Sequence, residues 1–229
     1  AGGKGSRLHP YTIVLPKPLM PIGEFPILEV IVRQLTRDGF THITMAVNHQ
    51  AEIIQAFFGN GDKWGVKIDY SLEDRALSTM APLKLIDDLP ENFLVMNGDI
   101  LSDFHFAHFY DYHIRNTNLF TIASYRRDIK SEFGVLTTNG KGQLTDFKEK
   151  PTSSYDVSMG IYMLDRNVLE LIPDSVTFGF DDLMYKLISE KRFADTFLFD
   201  GIWLDIGRPD DYISAIDLFE EKRHVFLPQ

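Results

Sequence analysis

Along residues 27–39, ILEVIVRQLTRDG, apolar side chains fall at Ile27, Leu28, Ile31, Val32 and Leu35. That spacing gathers them on one helical face, and Gly39 supplies a residue at which a helix can stop, so a helix is predicted over Ile27–Gly39. HITMAV (His42–Val47) reads as a short strand. AEIIQAFFGNG (Ala51–Gly61) reads as a short helix closed by glycine, and VKIDYSL (Val66–Leu72) as a second strand. FLVMNGD (Phe93–Asp99) is an apolar strand that runs into a polar turn. Strands alternating with helices imply an α/β fold, Rossmann-like, with a mostly parallel central sheet and helices on both faces.

The pattern after residue 100 is more mixed, so the sheet is expected to be mixed there. Ser102–His113 (SDFHFAHFYDYH) suits a helix. Leu119–Arg126, Phe133–Thr138 and Val157–Leu164 read as strands, and Gly142–Pro151 as a strand that runs into a loop. Asp181–Lys191 has helical spacing. Arg192–Gly207 resembles a hairpin ending at a polar turn, and Pro209–Arg223 is a closing helix with proline in its first turn. No linker, repeat or low-complexity segment interrupts the chain. One domain is expected over 1–229, its substrate-facing half starting at about residue 100.

The chain opens on AGGKGSRLHPYTIVLPKPLMPIG, with glycine at positions 2, 3 and 5. In an open α/β fold a glycine-rich turn follows a buried strand, yet residue 1 already lies in the turn. The expectation is therefore that about five or six further residues precede Ala1 and form the first, central strand. The other reading is a loop that is a true, disordered terminus.

Composition narrows the chemistry. The 229 residues carry a formal net charge of −10, which argues against a polyanion-binding surface and so against nucleic acid. There is no cysteine, which removes disulfides, thiolate metal sites and cysteine nucleophiles. No apolar run approaches the roughly 18 residues of a membrane span, and no secretory leader is visible, so a cytoplasmic protein is expected.

Glycines at 2, 3 and 5 let backbone N–H groups approach a ligand, and amides turned to one point make an anion-binding concavity. The spacing fits neither a P-loop nor a dinucleotide fingerprint, and it excludes a Rossmann oxidoreductase. Arg7 follows at once. Lys17 stands between Pro16 and Pro18, which restrict its backbone and make a freely solvated lysine less apt. Amides, a guanidinium and an ammonium together suit a triphosphate. Asp99 closes an apolar strand, where ligands bind in open α/β sheets, and Asp205 in WLDIG also follows an apolar run. Read alone, each of these carboxylates is as well explained as a turn residue capping its own backbone.

The opening stretch is similar to the signature AGGxGxRLxPxTxxxPKPLxPI of the sugar-1-phosphate nucleotidylyltransferases, also called sugar-nucleotide pyrophosphorylases. NGDIL, FKEKP, GIYML and WLDIGRPDDY agree with it, and the resemblance covers essentially the whole chain. It implies a nucleotidyltransferase (GT-A-like) fold, with a nucleotide half over about 1–100 and a sugar-phosphate half over 101–229. It also implies transfer of a nucleotidyl group from an NTP to a sugar 1-phosphate, with release of pyrophosphate. By resemblance, Asp99 and Asp205 hold Mg²⁺, and Arg7 and Lys17 hold the departing phosphates; these four are the catalytic candidates. Ala1, Gly2, Gly3, Gly5, Ser6, Glu73, Leu77 and Thr79 join Arg7 and Lys17 around the nucleotide. Gly2 and Gly3 lie against base and ribose. Asn97, Gly98, Gly134, Glu149, Lys150 and Ser158 form the sugar-phosphate side, with Lys150 on the phosphate and Glu149 on sugar hydroxyls. Homo-oligomerisation is left open.

The sequence departs from the family pattern at EDRALSTMAPL (Glu73–Leu83), where Ser78, Met80 and Ala81 replace the expected Gly, Ala and Gly. Side chains in that loop would stand where backbone should meet the base, which puts base recognition in question. Glu73 favours GTP, because a carboxylate accepts from guanine N1–H and N2–H₂, whereas uracil and thymine offer one N–H beside acceptors. FFGNGDKWGVKI also resembles stretches in mannose- and heptose-1-phosphate guanylyltransferases. The order of expectation is GTP with mannose 1-phosphate, then a heptose 1-phosphate, then uridylyl or thymidylyl transfer. A non-catalytic sugar-nucleotide-binding regulatory subunit is the alternative of another class. His105, His108 and His113 are read as packing residues on a half-exposed helix face rather than as zinc ligands.

Overall fold

The computed structural model describes residues 5–48, 50–73, 75, 77–174 and 176–227. Short 3₁₀ turns over Ser6–Leu8, Tyr11–Ile13 and Lys17–Leu19 lead into two-residue strands β1 (Pro21–Ile22) and β2 (Phe25–Pro26) and helix α1 (Ile27–Arg37). The elements that follow are β3 (His42–Val47), α2 (Ala51–Phe58), β4 (Lys67–Leu72), β5 (Asn92–Met96), β6 (Ile100–Ser102) and α3 (Phe106–Arg115). The second half holds β7 (Phe120–Lys130), β8 (Val135–Thr138), β9 (Leu144–Lys148), β10 (Thr152–Asp165), α4 (Phe180–Ser189), β11 (Asp195–Phe199), β12 (Trp203–Asp205) and α5 (Pro209–Phe226).

The apolar stripe of α1 is what seats it. Ile27, Ile31, Val32 and Leu35 are all at most 5% exposed, each worth about 1.5–3 kcal/mol relative to solvent. The helix ends at Asp38, and Gly39 takes φ +91° to turn the chain away. Glu29, on the same helix, is buried because three groups satisfy it: Arg33 Nε and Nη2 at 3.0 and 2.6 Å and Trp64 Nε1 at 3.1 Å. An Ile31→Asp change would place an unpaired charge in this core.

The main sheet runs β11-β7-β10-β5. β11 is parallel to β7, and β10 is antiparallel to both β7 and β5. β3 and β4 pair in parallel as a separate two-stranded sheet. One apolar core includes α1, α5 and residues of α3; a second, around Phe93, Phe120, Tyr162, Leu164 and Leu183, packs the other face beneath α4. The fold is thus the mixed α/β arrangement expected, with β10 as its antiparallel member. No helix among the described residues is long and apolar enough to cross a membrane.

Two expectations are corrected. Arg192–Gly207 is not a hairpin: β11 adds to β7, whereas β12 pairs antiparallel with β6. Asp103 Oδ1 accepts from Ile202 N at 2.7 Å and holds the chain where it crosses between the sheets. The histidines also divide. His105 and His108 are exposed, whereas His113 is buried between Thr121 Oγ1 (2.7 Å) and Asn92 Oδ1 (3.1 Å). Its burial lowers its pKa below the ordinary histidine value, partly opposed by Asp165 and Asp195.

β7 and β10 outgrow the core. Beyond Arg126 and before Val157 they continue as an exposed two-stranded ribbon, tied by Arg126–Asp156 and Ser154–Asp128 hydrogen bonds. The β8–β9 hairpin lies between them in sequence and is exposed along its whole length.

Candidate active site

Asp99 and Asp205, 106 positions apart in sequence, are brought together by backbone pairing. β6 and β12 run antiparallel with Asp205 opposite Ile100, and Ile206 N donates to Asp99 O at 3.1 Å. Asp205 therefore ends β12 beside the turn just ahead of β6 that carries Asp99, at the carboxyl side of β5. Burial of the Asp205 carboxyl, and then the charge of Asp99, push its pKa above the ordinary carboxylate value; Lys17 and Arg7 act the other way.

Two cations face this pair. Lys17 Nζ donates to Asp99 Oδ2, with the two side chains only 11% and 20% exposed. Pro16 and Pro18 frame the 3₁₀ turn that aims the lysine, and Pro18 and Leu19 are buried. Arg7 approaches from the other side: a Cβ on Gly207 would stand 3.5 Å from Asp205 Oδ2 and 3.7 Å from the Arg7 guanidinium nitrogens. Gly5 takes φ +61°, and a Cβ there would meet Thr12 at 3.0 Å and Lys17 at 3.3 Å, so a side chain would push the loop off the lysine. Thr12 Oγ1 donates to Gly5 O at 2.7 Å, and Tyr212 OH of α5 to Pro21 O at 2.6 Å; both fasten the opening segment. Ser6 begins the first 3₁₀ turn and is exposed. Ala1, Gly2 and Gly3 lie outside the described residues.

Asn97 and Gly98 connect β5 to Asp99. Asn97 N donates to Gly160 O at 2.9 Å. Gly160 has φ +74°, and a Cβ there would come within 2.5 Å of Asn97 Nδ2. It sits where the β10–β7 register shifts between Ser158 and Tyr162, and its N–H donates to Ser158 Oγ at 3.2 Å. Gly160 was missed as a site residue. Its signal was a glycine inside an otherwise apolar strand, the mark of a bulge or a close backbone approach.

Gly134 and Glu149 meet on the β8–β9 hairpin, where a Gly134 Cβ would be 3.1 Å from Glu149 Oε2. Lys150 follows with φ +42°, a left-handed bend that frees it from strict strand alternation. No described hydrogen bond or ion pair joins Glu149 or Lys150 to the aspartate pair. These residues form a second group, carried on the exposed arm.

Glu73, Thr79, Lys17 and Asp99 line one cleft of about 610 Å³. Glu73 Oε2 accepts from Leu77 N at 3.1 Å, and Asn48 Nδ2 donates to Glu73 O at 3.1 Å. Leu77 O accepts from Phe178 N, and Thr79 Oγ1 from Phe180 N at 2.9 Å, so the loop docks on the start of α4. Met80 and Ala81 are buried in the second core, away from the cleft. Those two replacements therefore add no bulk where backbone would meet a base. Ser78 differs: it lines the cleft with φ +71°, a left-handed conformation that suits glycine better than serine.

Two neighbouring carboxylates, in a chain without cysteine, make a hard oxygen donor set suited to a hard divalent cation. A separate cluster, His42, Asp69 and Asp88, has its ligand atoms within 4.8 Å of one another, but Asp69 is already paired with Lys67 at 2.6 Å and His42 at 2.7 Å. It lies at the amino ends of β3 and β4, opposite the aspartate pair.

A family model described as nucleotidyl transferase matches residues 1–222. The chain is 32% identical over 228 residues to a mannose-1-phosphate guanyltransferase of Yarrowia lipolytica, covering 95% of this chain and 62% of that protein. It is 31% identical to a UTP–glucose-1-phosphate uridylyltransferase of Synechocystis, covering all of this chain and 64% of that one. The chain thus spans somewhat less than two thirds of the length of these relatives. The solved structure of a Bacillus anthracis protein, provisionally assigned as a glucose-1-phosphate thymidylyltransferase, superposes with a TM-score of 0.75 at 23% identity, covering 95% of this chain and 92% of the other. That likeness concerns the fold.

Proposed function

Since the chain belongs to the nucleotidyl transferase family, we propose that it is a sugar-1-phosphate nucleotidylyltransferase. An ionised phosphate oxygen of the sugar 1-phosphate attacks the α-phosphorus of an NTP. The bond between the α-phosphorus and the bridging oxygen to the β-phosphate breaks, and pyrophosphate leaves with the electron pair. No proton has to be removed from the nucleophile, so no general base is needed. The protein's work is alignment of two polyanions and compensation of their charge.

The observation that carries this reading is the Ile206–Asp99 backbone pairing, which sets Asp99 and Asp205 side by side next to Lys17 and Arg7. Asp99 and Asp205 would hold Mg²⁺, which when bound neutralises phosphate charge. Arg7 and Lys17 hold the departing phosphates, and the glycine loop gives its amides to the nucleotide. Asn97, Gly98 and Ser158 border the sugar phosphate, and Glu149 and Lys150 reach it from the arm. For the base, Glu73 supports GTP, since both carboxylate oxygens can accept from guanine. The Yarrowia relative supports guanylyl transfer to mannose 1-phosphate, and the Synechocystis relative keeps uridylyl transfer as the competitor. The reading as a non-catalytic regulatory binder drew on the altered 78–81 loop, and burial of Met80 and Ala81 removes much of that motive.

Pyrophosphate release, measured for four NTPs against several sugar 1-phosphates with and without Mg²⁺, tests the proposal. Turnover that requires Mg²⁺ and is fastest with GTP and mannose 1-phosphate is expected. Fastest turnover with UTP would reassign the base. Tight NDP-sugar binding without turnover of any pair would favour the regulatory reading.

A further inference from the structure

We infer, resting on the reading of Asp99 and Asp205 as the ligands of a divalent cation, that Asp103 is a positioning residue for that site: its side chain sets β12 on β6 in the one register that brings Asp205 to Asp99. β6 and β12 hold three residues each, and Trp203 and Leu204 of β12 are only half-buried, so hydrophobic pattern alone specifies their register weakly. A slip of one residue would turn Asp205 to the opposite face, and a slip of two would carry it about 6–7 Å along the strand. Something beyond the two strands has to fix the pairing.

Asp103 stands where this can be done. The paired residues run Asp205–Ile100, Leu204–Leu101 and Trp203–Ser102. One step further along, Asp103 faces Ile202 and bonds to it twice. Its N–H donates to Ile202 O at 3.3 Å, and its Oδ1 accepts from Ile202 N at 2.7 Å. The other end of the same ladder closes on Ile206 N and Asp99 O. Moved one residue either way, Ile202 N would face Phe104, which has no side-chain acceptor, or Ser102, whose Oγ already takes the Phe104 N–H at 3.2 Å. Gly201 lets the crossing chain come this close, since a Cβ there would stand 2.5 Å from Asp103 Oδ1. β6 can act as the fixed member because it is tied down independently: buried Gln34 of α1 donates through Nε2 to Ser102 O at 2.7 Å, and Phe104 is buried.

Asp103 does not itself reach the cation. It lies three residues along the chain from Ile100, the partner of Asp205, which is roughly 10 Å of strand. Over that distance its charge is largely screened at physiological salt. Among the described residues no cation pairs with it, and its carboxylate is spent on the backbone of the crossing. What it governs is where Asp205 stands. Groups that orient a metal's ligands in this indirect way commonly change metal affinity by about 10- to 100-fold.

The test titrates Mg²⁺ into the parent, Asp103→Ala, Asp103→Asn and Asp103→Glu. The half-saturating concentration is read from the rise in Tm without substrates, and again from pyrophosphate release with the NTP and sugar 1-phosphate that turn over fastest. Asn keeps an acceptor oxygen at the place of Oδ1 but loses the charge; Glu keeps the charge and displaces the acceptor by one methylene. Ala and Glu are expected to raise the half-saturating Mg²⁺ concentration at least about tenfold in both readings, and Asn to stay within about threefold of the parent. A role confined to stability would lower Tm at every Mg²⁺ concentration and leave half-saturation at the parent value, which would overturn the inference. So would Glu matching the parent while Asn does not, because charge would then be the cause. Should Asp103→Ala fail to fold, the Asn and Glu variants decide by themselves. A parent whose Tm does not respond to Mg²⁺ would bring down the metal reading and this inference together, whereas a responsive parent with Ala and Glu binding as tightly overturns the inference alone.

Discussion

Lys17→Met keeps most of the volume of the side chain and removes its charge. Lys17 is the group that directly neutralises Asp99, and the pair is largely shielded from solvent. Without it, two like charges remain, and Asp99 already raises the pKa of Asp205, an effect that needs a separation of about 4–6 Å. At an effective dielectric constant near 20 their repulsion is about 3 kcal/mol. Partial exposure, above all of Asp205, screens roughly half of that, leaving about 1–2 kcal/mol. For a domain of this size the loss corresponds to a fall in Tm of about 2–8 °C. The sign of the magnesium response is the sharper test. In the parent protein a cation entering between the aspartates must displace Lys17 from Asp99; in the variant it meets an uncompensated pair. Differential scanning calorimetry with and without millimolar Mg²⁺ should show a larger rise in Tm for Lys17→Met than for the parent. Equal rises, or a variant as stable as the parent without Mg²⁺, would refute this account of the lysine.

Asp205→Asn should raise Tm at neutral pH without Mg²⁺ while lowering pyrophosphate release at least about 100-fold. The raised pKa means that the fold disfavours the ionised carboxylate, so neutral Asn removes a cost; a fall in Tm would contradict that. Glu73→Gln should lower kcat/KM for GTP about 10- to 100-fold and for UTP less, since Gln offers guanine only one acceptor; equal losses would separate Glu73 from base choice. For His113 the folded pKa lies below the unfolded value near 6.5, so the unfolded state binds more protons and stability falls as pH drops below about 6.5. Urea titrations between pH 5 and 7 should show that slope in the parent and a shallower one in His113→Asn; matching slopes would assign the dependence elsewhere.

What could be read in advance follows from what is periodic and what is not. The α1 face was legible because five apolar residues repeat at helical spacing, and the pairing of Lys17 with two prolines marked it as held. The convergence of Asp99 and Asp205 was not legible from spacing: it depends on β6 and β12, strands of three residues each, too short for any periodic signal. Only the resemblance tied the two aspartates together. The hairpin reading of Arg192–Gly207 failed for a related reason. Two strands separated by a turn look alike whether they pair with each other or leave for different sheets, and Asp103, which decides the matter here, lies nearly a hundred residues away. The 78–81 loop misled in the opposite direction. Its replacements looked like bulk added to a binding surface, but Met80 and Ala81 point into the second core, and no local pattern distinguishes the two faces of so short a segment.

The same contrast bears on why chemistry is easier to read than specificity. The aspartate pair is fixed by main-chain hydrogen bonds between two strands, and Lys17 by a turn with buried neighbours. Side-chain changes elsewhere therefore move these groups little. Glu149 and Lys150 have the opposite support. They ride on a ribbon exposed along its length, and no described hydrogen bond anchors either side chain. On the proposed assignment, with Glu149 and Lys150 on the sugar side, a rigid phosphate half and a loosely held sugar half could keep one reaction while changing the sugar accepted. On that view, exchanging residues 133–150 for those of a relative with another sugar should shift sugar preference and leave the Mg²⁺ response of the Asp99–Asp205 pair unchanged. Loss of the Mg²⁺ response in such a chimera would show that the two halves are one mechanical unit.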